Sequence, residues 1–137
     1  MARFIVMTIS EKNENEQCQI LREGQKDWVK TMNVKIYNKL IRDKIPHIIE
    51  QSGKQAILEA VSGEEYLKLL NAKLGEELQE YIDSECVEEL ADLVEVVYAI
   101  LEHKDVSLEG FEVIRKRKVE ERGAFKKKLL LKEVIDG

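Results

Sequence analysis

The stretch from Tyr66 to His103, YLKLLNAKLGEELQEYIDSECVEELADLVEVVYAILEH, decides the fold, because it reads as two consecutive amphipathic helices. Leu67, Leu70, Leu74, Leu78 and Tyr81 recur at steps of three or four and predict the inward stripe of a helix from about Glu64 to Asp83. A second helix, from about Cys86 to His103, carries two apolar rows. Leu90, Val94, Val97 and Leu101 form one; Leu93, Val96 and Ile100, with Glu89 at their head, form the other. A helix apolar over so much of its circumference is expected to be covered by several neighbours, within one chain or across a dimer.

Four acids break this apolar pattern as two i, i+3 pairs, Glu77 with Glu80 and Glu89 with Asp92. Glu77 falls three residues after Leu74 and four before Tyr81, so it leans over the inward face. Two carboxylates about 5 Å apart repel by roughly 3 kcal/mol at an effective dielectric of 20, before any desolvation cost. A hard divalent cation compensates most economically, since Mg²⁺, or Mn²⁺ in its place, prefers carboxylate oxygens. Glu76, Asp83, Glu85, Glu88, Glu95 and Glu102 read as a solvated acidic face.

Working outward, 137 residues with 44% apolar content suffice for one domain with a core. A single proline, seven glycines and long periodic stretches predict an all-helical chain, with a short extended piece at the amino end. Residues 1–31 read as an amino-terminal extension of unknown role, and 32–137 as the helical domain. Pro46 to Gln51 is a short helix, Gln55 to Ala60 a connection or short strand, and Ser62 with Glu65 a capping box. A third long helix starts at Leu108. Gly75, inside the first long helix, costs about 1 kcal/mol relative to alanine. Close approach of another backbone, across a dimer for instance, accounts for it.

Phe4 to Ile9 is too short for a signal-peptide core, and no apolar run reaches membrane length, so a cytoplasmic protein without a membrane partner is expected. Cys18 and Cys86 form no CxxC, which fits a reducing compartment and excludes a thiolate zinc site. The net charge of −5 hides a polarity: Lys73 to His103 holds ten acids and one base, Val113 to Lys132 nine bases and two acids. Bases beside an acidic metal cluster suit a polyphosphate substrate. The acidic remainder argues against nucleic acid as partner. Neither His47 nor His103 follows a glutamate by three residues, which removes a di-iron carboxylate bundle. Tyr98 and Phe125 are the aromatics available for base stacking, although core packing is the default for both.

The strings Glu76-Glu77-Leu78-Gln79-Glu80 and Glu89-Leu90-Ala91-Asp92 resemble the EExxE and ExxD motifs of the MazG-like, all-alpha nucleoside triphosphate pyrophosphohydrolase superfamily. Tyr37 to Pro46 (YNKLIRDKIP), Lys116-Arg117 and Arg122-Gly123-Ala124-Phe125 look like its phosphoribosyl-ATP pyrophosphohydrolase-like branch. The resemblance runs from about Ile36 to Leu131. It implies a MazG-like helical bundle completed by homo-oligomerisation, as a dimer or tetramer. It implies Glu77, Glu80, Glu89 and Asp92 as Mg²⁺ ligands, and hydrolysis of a nucleotide between its alpha and beta phosphates. Glu76 is then the expected general base or an orienting residue, and Arg42, Lys44, Arg117 and Arg122 the expected phosphate contacts. The substrate class spans ordinary and noncanonical triphosphates, the latter in a house-cleaning role. Phosphoribosyl-ATP of histidine biosynthesis and a non-catalytic helical dimer are the alternatives. The chain departs from the superfamily in the short interval of eight residues between Glu80 and Glu89.

Overall fold

The structure, a computed structural model, describes residues 18–20, 28–30 and 33–137. The rest of the expected extension, residues 1–31, lies outside the described residues. Strands β1 (Cys18–Ile20) and β2 (Trp28–Lys30) pair antiparallel, with Gln19 opposite Val29. Among the described residues the other elements are helices: α1 (Ile45–Gln51), α2 (Gly63–Ser84), α3 (Val87–His103) and α4 (Leu108–Arg122). The all-helical expectation holds apart from that extended pair. Residues 54–61 form a connection without a strand. No helix among the described residues is long and apolar enough to cross a membrane.

The chain divides into two compact units, Met1–Glu76 and Glu77–Gly137, and the division falls inside α2. In the first unit, α1 starts with Pro46 in its first turn, where no intrahelical amide bond is lost. Ser52 closes it, its hydroxyl donating to the Ile49 carbonyl at 2.6 Å. Ile49 and Leu70 are the buried apolar residues of this unit among those described.

In the second unit, α2 ends where Glu85 enters the left-handed region (φ 55°) and donates its N–H to the Tyr81 carbonyl. Only Glu85 and Cys86 separate α2 from α3. Helix α3 stops at Lys104, and Asp105 (φ 55°) reverses the chain so that the Val106 N–H reaches the Leu101 carbonyl at 2.9 Å. Ser107 then caps α4, accepting from the Gly110 N–H at 3.0 Å. Val96 and Leu101 are buried on α3, whereas Leu90, Val94 and Tyr98 stand well exposed. No residue of α4 is buried.

Three expectations of burial fail, Tyr98 at 42% exposed being one. Leu78, placed on the inward stripe, is 47% exposed. At about 100° per residue it sits some 80° from Leu70, while Glu77 sits only about 20° away on the other side. The covered row is therefore Leu70, Leu74, Glu77 and Tyr81. Phe125, expected to pack in a core, is 97% exposed, because the chain leaves α4 at Gly123 (φ 80°) and runs on without regular structure.

Candidate metal centre

Glu77 is the one buried charged residue among those described, 5% exposed. Its carboxylate meets those of Glu89 and Asp92, both half-buried at the start of α3, with one oxygen from each lying within 4.8 Å of the others. The tight turn produces this meeting. Glu77 lies about two turns before the end of α2, and Glu89 and Asp92 occupy the first two turns of α3. On α3, Glu89 and Asp92 flank the row of Val96 and Ile100, so the face that carries the core also carries the acids.

Three carboxylates at this separation repel one another when ionised. At an effective dielectric of 20 each fully ionised pair repels by about 3.5 kcal/mol. Oxygen donors only, with no thiolate and no imidazole, fit a hard divalent ion such as Mg²⁺ or Mn²⁺, and three protein ligands leave room for water or phosphate oxygens. Glu80, the fourth acid of the pattern, is exposed and lies outside this three-residue group. Helical rotation places it some 60° beyond Glu77, at the margin of the covered face.

Glu76 belongs to the first unit and has a different environment. Its Oε1 accepts from Lys39 Nζ at 2.6 Å and from Lys73 Nζ at 3.2 Å. Partial burial disfavours its charge, but the hydrogen bonds and positive charges of the two lysines outweigh burial and hold its carboxyl below the ordinary glutamate value. A carboxylate engaged in this way is a weak proton acceptor and a firm anchor for two ammonium groups. Lys39 and Lys73 are the residues that sequence reasoning did not single out. Lys73 was detectable as an i, i+3 partner of Glu76. Lys39 was not, being 37 positions away.

The expected phosphate contacts are distributed over both units. Arg42 and Lys44 are exposed in the turn before α1, with Lys44 as its N-cap residue. Arg117 and Arg122 are exposed on α4, Arg117 Nε standing 4.0 Å from Glu121 Oε1. Comparison with protein-family models, with curated proteins and with solved structures returned no match.

Proposed function

We propose that this protein is a Mg²⁺-dependent nucleotide pyrophosphohydrolase that cleaves a nucleoside triphosphate, ordinary or noncanonical, to a monophosphate and pyrophosphate. The observation that carries the reading is the buried Glu77 carboxylate gathered with Glu89 and Asp92 in an otherwise apolar helix face. In this reading Glu77, Glu89 and Asp92 hold the ion, and Glu80 supplies a further oxygen from the solvent side. A bound Mg²⁺ there supplies Lewis acidity toward phosphate oxygens and lowers the pKa of a coordinated water. Glu76 orients Lys39 and Lys73. The resemblance of Glu76 to Glu80 and of Glu89 to Asp92 to the MazG-like motifs supports the same chemistry, as does the excess of bases from Val113 to Lys132.

The protein acts as a homo-oligomer in this reading. Leu90, Val94 and Tyr98 on α3, and Val113, Ile114 and Val119 on α4, remain exposed. Leu129, Leu130 and Leu131 follow Lys126 to Lys128 in a segment that is itself more than three-quarters exposed at each leucine. Burial of these side chains against a second copy would remove apolar surface from water. A second copy satisfies them, bringing basic tail to acidic helix.

The test is pyrophosphate release from a panel of canonical and modified triphosphates plus phosphoribosyl-ATP, with and without Mg²⁺. Metal-dependent release that disappears in Glu77→Gln and Glu89→Gln is expected. A folded protein that binds Mg²⁺ and turns over none of the panel would instead favour the non-catalytic dimer.

A further inference from the structure

The first unit contains a cavity of about 320 Å³ that the acidic group does not use. This is the lower end of the size range of small-molecule sites, roughly 300–1,000 Å³. Its walls are apolar, with Ile57, Leu58 and Leu69 prominent. Its polar lining comprises Glu59, Glu65, Asn38, Lys39 and Tyr37. Asn38 turns the chain through the left-handed region (φ 49°), a conformation that few residues other than glycine tolerate as well as asparagine. The turn delivers Lys39, whose ammonium is fixed twice, at 2.6 Å from Glu76 Oε1 and 5.6 Å from the centroid of the Tyr37 ring.

Each feature restricts the ligand. Ile57, Leu58 and Leu69 favour a ligand with a flat apolar face over a simple sugar phosphate. Ionised Glu59 and Glu65 only accept hydrogen bonds, so the ligand must bring N–H donors on its edge. Lys39 has three N–H donors, of which Glu76 takes one in the structure, and the others favour an anion. A flat heterocycle with an exocyclic amine, joined to a phosphate, meets all three conditions, whereas uracil offers a single ring N–H flanked by two carbonyl oxygens that the carboxylates would repel.

We propose that this cavity is the base-recognition site for a nucleotide with an amino-bearing base, and that Lys39, held by Glu76, anchors the phosphate nearest the sugar. The choice of a nucleotide rests on the function proposed above, while the site itself stands on the cavity and its lining. Glu76 is a positioning residue here, acting through Lys39.

The test is isothermal titration of the full-length protein in EDTA with AMP, CMP, GMP, UMP and adenosine. AMP, CMP or GMP should bind at least about tenfold more tightly than UMP, which lacks the amine. Ile57→Trp, at a wall residue that is itself partly exposed, should fill the cavity and abolish binding with the helical circular dichroism unchanged. Lys39→Ala should weaken the monophosphate by about 10- to 100-fold, the loss expected for a charge-assisted hydrogen bond, and leave adenosine unaffected. Lys39→Arg should restore most of it, which a purely structural role for the lysine would not require. Equal affinity in Ile57→Trp and the parent overturns the site, and so does equal loss of adenosine and AMP in Lys39→Ala. Mg²⁺-dependent pyrophosphate release with unchanged KM in Ile57→Trp overturns this inference alone and leaves the hydrolase standing. Monophosphate binding that obeys these rules in a protein without hydrolysis upholds the site and removes the hydrolase.

Discussion

Replacing Glu77 by glutamine should erase the stabilisation of this protein by Mg²⁺. Three carboxylates with oxygens within 4.8 Å of one another carry three mutual repulsions, together about 10 kcal/mol if all are ionised at an effective dielectric of 20. A divalent ion bound there offsets that strain and stabilises only the folded state. At a free concentration one hundred times its Kd the gain is about 2.7 kcal/mol. For a domain of this size, with roughly 4 °C of melting temperature per kcal/mol, the rise is about 10 °C. The assay is thermal unfolding followed by circular dichroism at neutral pH, in EDTA and in increasing Mg²⁺. Glu77→Gln and Glu89→Gln should each reduce the rise below about 2 °C. Any contact that the glutamate loses affects both conditions alike and cancels in the difference between them. Glu88→Gln, an exposed neighbour in the same first turn of α3, should keep the full rise. A wild-type protein whose melting ignores Mg²⁺, or a Glu77→Gln protein that keeps the rise, would refute the reasoning.

Other perturbations have equally definite outcomes. Gly75→Ala places a Cβ where nothing in the chain lies within 4 Å, so chemical denaturation should show a gain of about 0.5–1 kcal/mol. A loss instead would mark a second chain packed against α2 at that point. Leu70→Ala removes one of the few buried apolar side chains and should cost about 3 kcal/mol in the same assay. Glu112 and Arg115 face each other on α4, Arg115 Nε lying 2.9 Å from Glu112 Oε2. The bonds from Arg115 hold the Glu112 carboxyl below its ordinary range, so whatever stability the pair gives is present above the unfolded carboxyl pKa and lost as pH falls through the lowered one. Because the pair is about half exposed to solvent and screened by salt, Glu112→Gln should leave the melting temperature unchanged in 1 M NaCl.

The helices were legible in the sequence because their apolar residues repeat with the helical period. Gly63 to Ser84 and Val87 to His103 fall within a residue of the ranges expected from periodicity. Glu77, Glu89 and Asp92 were legible for the same reason, since charge on an inward face is visible as a break in that period. Glu80 and Leu78 mark the limit of the method. Both sit on the edge of the stripe, where a rotation of 20° decides between core and solvent, and integer spacing does not resolve 20°. Phe125 marks another limit: burial tendency describes an average aromatic residue, and a tail outside the helices has no average neighbour. The pairing of Lys39 with Glu76 depends on how the chain folds back over 37 residues, and no local period encodes that.

The adjacent glutamates 76 and 77 meet different partners from one helix. Consecutive residues project about 100° apart, so two neighbouring carboxylates do not readily chelate one ion from the same side. Here Glu77 turns to the covered face and joins Glu89 and Asp92, while Glu76 turns away to Lys39 and Lys73. Exchanging the two chemistries tests this division of labour. Glu76→Gln should leave Mg²⁺ stabilisation within about 2 °C of the parent, because the group within 4.8 Å does not include it. It should weaken AMP binding in EDTA, because a neutral amide no longer fixes the Lys39 ammonium. Glu77→Gln should do the reverse. If both variants lose metal and nucleotide together, the two carboxylates serve one site and the assignment of separate roles is wrong.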